Sequence, residues 1–427
     1  MKRRLTSLSL LVFIGVFISA CADSEEIDDG ARLEGFGSDL PRFAVHISDY
    51  VSTTIAFLDE DGELLKEDWI HSGTQLPSLV EPLSGDIYLP TEERGDGSLT
   101  LIDSFGTDVI TRFDLETGAL LGQARVRDAF SVNAHDVIFT SEGRAFVLRY
   151  GKNLDESAPL FDQGGDLLEI DPETGAPLGT ADDEIEAYRV DLSIFSETIE
   201  LEDGAELVAH THPSSGIEVN GYLIIGLARF TPGFETAATG AIAIVDPRDR
   251  SARLHEFPGT IGCENVSRVP EHEARVLVRC QGFYGSIEED SGAAIIEINE
   301  DGTVNTIAAL FAHEQTGTER PFDAAVALNT NELIAVEVGE YFSETELDIV
   351  YHVSLSDGSI RELFRSSRGG AFAGRMAYDA TSGLVLIPDA EEGVRRLRVK
   401  EGGEIETLPT IPLGLGMGVR GIGLLFD

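Results

Sequence analysis

The stretch from His135 to Gly179 decides the fold: HDVIFTSEGRAFVLR (135–149), GKNLDESAPLFDQGG (151–165) and GDLLEIDPETGAPLG (165–179). The first part is two β-rich runs hinged on Ser141-Glu142-Gly143, residues that suit a tight hairpin connection. The middle is a polar, acidic loop. The last part is two more runs hinged on Asp171-Pro172-Glu173-Thr174-Gly175. This spacing predicts four antiparallel strands, with a long loop between the second and the third.

The same unit recurs along the chain. Seven short apolar runs each follow a turn: Phe43–Ile47, Ile87–Leu89, Ala145–Arg149, Tyr222–Leu227, Arg275–Arg279, Leu333–Val338 and Leu384–Ile387. They are read as second strands. Third strands follow in TTIAFLDEDGELL (53–65), DVITRFDLETGALLG (108–122), GAIAIVDPRDRSARL (240–254), GAAIIEINEDGTVNT (292–306) and LDIVYHVSLSDGSIREL (347–363). A four-stranded unit is apolar on both faces and cannot stand alone. Radial packing buries both faces and protects the edges. From Arg42 onward the seven units take about 55 residues each, a period typical of propeller blades. No long 3.6-residue periodicity argues for βαβ units.

The reading is therefore an all-β, seven-bladed β-propeller over residues 42–427. Val419–Phe426 is a strand with nothing after it, and Phe43–Ile47 lacks a hairpin partner before it. The C-terminal strand is expected to pair with the N-terminal strands and close the ring. A stacked β-sandwich is the structural alternative. The Asp-x-x-Thr-Gly turns, Asp114 to Gly118 and Asp171 to Gly175, resemble those of YVTN-type and quinoprotein-like propellers (WD-repeat-like in architecture). The Trp-Asp signature is absent, since Trp69 is the only tryptophan. Such folds host binding, hydrolase, isomerase and redox roles, so the resemblance implies the fold and leaves the chemistry open.

Composition narrows the setting. The 427 residues carry 76 acidic and 31 basic side chains, a formal charge of −45, which excludes a phosphate-binding basic footprint and hence nucleic acid as a partner. Only four residues are lysine. Acidity with little lysine fits salty surroundings or a GC-rich genome; a merely acidic exported protein is the plainer reading.

The N-terminus, MKRRLTSLSLLVFIGVFISAC, has a basic start, an apolar stretch too short to span a bilayer comfortably, and small residues before Cys21. Residues 1–20 read as a signal peptide. Ile18-Ser19-Ala20-Cys21 resembles a bacterial lipobox, which implies cleavage before Cys21 and lipidation (diacylglycerol, palmitate) of its sulfur. A chance cysteine after an ordinary signal is the alternative. Residues 21–41 then read as a lipidated cysteine and acidic flexible tether. The expected location is the bacterial cell envelope, at the outer membrane, as a monomer touching the membrane only through its anchor.

Cys263 and Cys280 lie equally far from Glu271-His272. A two-residue turn there sets them opposite one another, as a disulfide needs; two unpaired buried thiols are the alternative.

Long loops 90–99, 151–165, 231–240, 283–292 and 340–347 are read as joining second to third strands on one face. Glu92, Glu93, Asp96, Asp155, Glu156, Glu288, Glu289, Asp290, Glu344 and Glu346 make that face acidic, suited to a protein or small-molecule ligand, or simply solvated. Metal candidates are sparse. His210 and His212 project the same way if extended, and Glu264 lies at another inter-blade segment, with His135 or Asp136 as further donors. These residues could hold Ca²⁺ or Zn²⁺, or be ordinary polar loop residues. Haem-attachment, nucleophile-elbow and phosphate-loop motifs are absent. Two readings of function follow: a noncatalytic binding or protein-interaction propeller, and alternatively a metal-dependent hydrolase or lactonase using the central channel. A cofactor-dependent oxidoreductase ranks behind both.

Overall fold

This computed structural model describes residues 33–426 apart from 202, 284–285, 312–321 and 415, and leaves the side chains of 283, 286–290 and 311 undescribed. The signal peptide, Cys21, residues 22–32 of the tether and the side chains of Phe283, Tyr284, Glu288, Glu289 and Asp290 lie outside the described residues.

Alternation builds each blade. Along Phe43–Ser48 and Thr53–Leu58, Ala44, Ile55 and Phe57 face one neighbouring sheet, while Phe43, Val45, Ala56 and Leu58 face the other. Both strands are wholly buried, whereas the outermost strand Leu64–His71 is mostly exposed. The described residues form seven sheets, and seven apolar clusters fill the spaces between consecutive sheets. Each sheet thus buries two faces against two neighbours, which is the arrangement four-stranded units need.

The ring closes as the sequence predicts. Gly418–Leu424 is the innermost strand of the first blade and pairs antiparallel with Phe43–Ser48, with Phe43 opposite Leu424 and a bulge at His46/Ile47. Val419 and Ile422 join Leu384, Leu386 and Val394 of the seventh blade in the cluster that completes the circle.

The Asp-x-x-Thr-Gly turns join third to fourth strands. Asp114 Oδ1 accepts from the Thr117 N–H and hydroxyl at 2.7 Å each, and Gly118 sits at φ +71°. Asp171 and Thr174 repeat the pattern. A side chain at Gly118 would strike the Leu33 carbonyl. Leu33 and Phe36 hydrogen-bond to Gly118 and Leu115, and the Phe36 ring packs on Phe57 and Trp69. The end of the segment read as a tether is therefore seated on this turn.

Four details differ from the sequence reading. Residues 286–292, expected within the loop 283–292, belong to the strand Ser286–Ile298, which pairs back onto His272–Phe283. Ile87–Tyr88 is the innermost strand of the second blade, and Ser98–Asp103 is its second strand. Loop 90–97 consequently joins first to second strand and lies on the face opposite the other long loops. The short apolar run Ile87–Leu89 resembled a second strand because its true counterpart, Leu99 to Ile102, lies beyond a polar insertion. In the fifth blade, Val269 pairs with His272, so the turn is Pro270-Glu271, with Glu271 at φ +64°, and a bulge at Arg268/Val269 restores the ladder. Cys263 and Cys280 form the disulfide all the same. Finally, the fourth blade gains a fifth strand: Glu197–Glu200 pairs with the first half of the long strand Glu206–Val219.

Candidate active site in the central channel

Loop 90–97 divides the channel. Thr91 donates through its N–H (2.9 Å) and hydroxyl (2.5 Å) to the buried Asp136 carboxylate, which also accepts from the Gly216 N–H at 2.8 Å. Glu92 grips Arg268 of the fifth blade through both oxygens, at 2.8 and 2.9 Å. Arg94 reaches Glu173 at 2.6 Å. The loop is thereby pinned to the third and fifth blades and forms a floor. Below it lies a cavity of about 810 Å³, and above it one of about 390 Å³.

The upper cavity opens toward the second-to-third-strand loops and holds the unusual chemistry. Arg279, Arg375 and Arg420 line it, from the fifth blade, the connection into the seventh, and the closing strand of the first. Arg279 Nη1 donates to the Phe322 carbonyl at 3.0 Å, Arg375 Nη1 to the Leu89 carbonyl, and Arg420 Nε to the Ser48 carbonyl at 3.3 Å. None has a carboxylate within 4 Å among the described residues, although acidic side chains outnumber basic ones more than two to one. Burial lowers the Arg279 pKa, and the charges of Asp323 and Glu264 only partly restore it. Arg420 also stacks over the Tyr50 ring at 4.8 Å.

Two histidines share this wall. His46 is buried and its Nε2 has no hydrogen-bond partner. Burial and then the Arg420 charge lower its pKa to about 3, so the imidazole is neutral. His135 is similarly lowered to about 3, by burial first, then by His212 and Arg375. Its ring lies in a ladder, Tyr88–His135–Tyr150–His212, with centroid spacings of 5.0, 4.1 and 4.8 Å. Burial raises both tyrosines above their ordinary value, so both phenols stay protonated.

The residues named as metal donors fall in separate settings. His210 sits opposite Phe230 in the fourth blade. His212 stacks on Tyr150 and donates its Nδ1–H to the Tyr150 carbonyl at 2.8 Å. Glu264 is buried and accepts from Gln281 Nε2 at 2.5 Å; burial pushes its carboxyl up to about 7, against the pull of Arg279 and Gln281. Among the described residues no three His, Cys, Asp or Glu side chains are grouped to hold a metal ion. The donors among the described residues therefore do not compose a Ca²⁺ or Zn²⁺ site. Sequence reasoning missed the arginine trio. Each member is an isolated arginine in its own stretch, and only ring closure brings the three together.

No family model matches the chain, and no curated protein sequence matches it. Solved structures do. A Bacteroides fragilis protein assigned as a 6-phosphogluconolactonase is 11% identical, covers 90% of this chain and 98% of its own, and superposes with a TM-score of 0.51. A Lactobacillus plantarum protein is also 11% identical, covering 90% and 99%, with a TM-score of 0.53. A Bacteroides uniformis protein with the same lactonase assignment is 12% identical with a TM-score of 0.48. The chain shares the fold of the first two.

Proposed function

We propose that the protein is a lactonase-like hydrolase acting on an anionic, polyhydroxylated lactone in the upper channel cavity. The observation that carries this reading is the set of three arginines, none paired with a carboxylate among the described residues, around a floored cavity of about 390 Å³. Guanidinium groups recognise carboxylate and phosphate through paired N–H donors. Asp86 and Asp323 also line the cavity without pairing directly with these arginines, so an anion supplied by the substrate can take up their paired donors.

The hydrolysis needs a water held against the lactone carbonyl carbon and donors for the developing oxyanion. His46 is neutral, lines the cavity and keeps a ring nitrogen without a hydrogen-bond partner, and it is the base proposed for that water. An anion bound beside it offsets the burial and the Arg420 charge that keep it weakly basic, so its basicity rises when substrate arrives. Water then adds to the carbonyl carbon, its proton passing to His46. The ring C–O bond breaks, the leaving oxygen takes up that proton, and a hydroxy acid departs. Arginine N–H groups stabilise the oxyanion.

The experiment compares hydrolysis of a phosphorylated aldonolactone with its neutral counterpart. The proposal expects kcat/KM for the anionic lactone to exceed that for the neutral one by about 10²-fold or more, and Arg279→Met with Arg375→Met to remove the preference. Equal rates on both, unchanged in the variants, would reject it. We also propose that the chain is exported and lipid-anchored at Cys21 in a bacterial envelope. The lipobox-like end of the apolar stretch supports that reading, and mass spectrometry of Cys21 tests it. The turn pattern at Asp114 and Asp171 supports kinship with YVTN-type propellers.

A further inference from the structure

The face above the channel carries an aromatic and aliphatic crown. Five of the second-to-third-strand loops hold large apolar side chains that are well exposed: Tyr50 and Val51 in the first, then Phe105, Leu154, Phe234 and Phe342, between 58% and 80% exposed. Among the described residues, every large apolar side chain more than half exposed lies in such a loop or in an inter-blade connection, which shares that face. The opposite face has none. A random scatter of exposed apolar residues would not choose one side.

The rings are also held in place. Tyr50, Phe234 and Phe342 adopt φ of +67°, +57° and +67°, a conformation that bulky residues rarely take. The other residues found there are mainly Asn, Asp and Glu, and the Asn and Asp side chains tolerate it. Arg420 lies over the Tyr50 ring and Arg368 over the Phe342 ring. These loops keep large apolar groups at their tips despite the backbone cost, the pattern of a preformed contact surface.

We infer that this crown docks a protein partner whose contact surface combines apolar side chains with lysine or arginine. Charge complementarity selects the partner. The same loops expose Asp49, Asp155, Glu156, Glu235, Glu340 and Glu344 between the rings. An aromatic set interleaved with carboxylates suits a cationic surface, through ion pairs at the rim and cation–π contacts at the rings. It opposes an anionic lipid surface. The chain also enters the propeller on the far side, where the Leu33 N–H bonds the Gly118 carbonyl. The inference does not depend on the channel chemistry.

The test screens the full chain against a displayed library of random twelve-residue peptides. Wild type is expected to enrich peptides pairing Lys or Arg with apolar residues. The variant Phe105→Ser/Phe234→Ser/Phe342→Ser should bind the selected peptides at least 10-fold more weakly while keeping its unfolding temperature and its lactone hydrolysis. Asp155→Asn/Glu156→Gln/Glu235→Gln should weaken binding and flatten its salt dependence. No enrichment, acidic peptides, or equal binding by the variants would overturn the inference. So would strong quenching of a Phe342→Trp reporter by brominated phosphatidylcholine vesicles, which would put the crown in lipid; the native Trp69 is only 5% exposed and stays silent.

Discussion

Arg149 and Asp166 show how a fully buried charge pair is fixed by its partners. They bond at 2.7 Å through two donors. Burial alone would raise the Asp166 pKa, but the charges of Arg149 and Arg189 hold it below its ordinary value. Its contribution is therefore present above the usual carboxylate range and is lost as pH falls through the lowered folded value. Asp166→Asn should cost about 3–5 kcal/mol in chemical denaturation, because it leaves the buried Arg149 guanidinium without its anion and Arg189 with only Asp191. Glu93 shows the opposite sign. Burial pushes its pKa up to about 8, one oxygen accepts from the Thr100 N–H at 2.9 Å, and the other has no partner. The folded state holds this proton more tightly than the unfolded chain does. Stability should thus fall as pH rises from about 4.5 to about 8, with a slope of up to about 1.4 kcal/mol per pH unit. Glu93→Gln should flatten that window in a pH series of unfolding curves; an unchanged slope would assign the pH dependence elsewhere. Neither role is visible in the sequence, where both residues look like two more carboxylates on an acidic chain.

Turns were legible because their chemistry is local. Asp114, Thr117 and Gly118 fix their own hairpin within five residues, and the structure repeats the same bonds at Asp171. The third strands leading into these turns were recognisable for the same reason. Register was less legible, since a single bulge at Arg268/Val269 moves the turn by one residue without changing the apolar pattern. The disulfide tolerates this because Cys263 lies beyond the last ladder pair, Asn265 with Arg279. Replacing both cysteines by serine should lower stability by about 3 kcal/mol, read from denaturation under oxidising conditions. The floor loop was misplaced because its function is long-range: Thr91, Glu92 and Arg94 all find partners on other blades. Glu92→Ala should release the loop from the fifth blade, and faster amide exchange over residues 90–97 would report it.

At the scale of the molecule, alternation in each strand and closure of the ring were both readable from the chain. The convergence of Arg279, Arg375 and Arg420 was not, because it follows from seven blades meeting on one axis. The net charge of −45 acts over the whole surface. Raising sodium chloride from about 0.05 to about 1 M, where the Debye length shrinks to roughly 3 Å, should raise the unfolding temperature; a fall would contradict dominant self-repulsion. The central claim is that the upper channel binds an anion supplied by the substrate. The most direct measurement is a crystal structure of the protein soaked with a phosphorylated aldonate, the hydrolysis product. The account predicts its anionic group in the cavity above the floor loop, hydrogen-bonded by Arg279, Arg375 and Arg420 with His46 facing the carboxyl end. An empty upper cavity at saturating ligand, or the ligand bound below the floor loop, would contradict it.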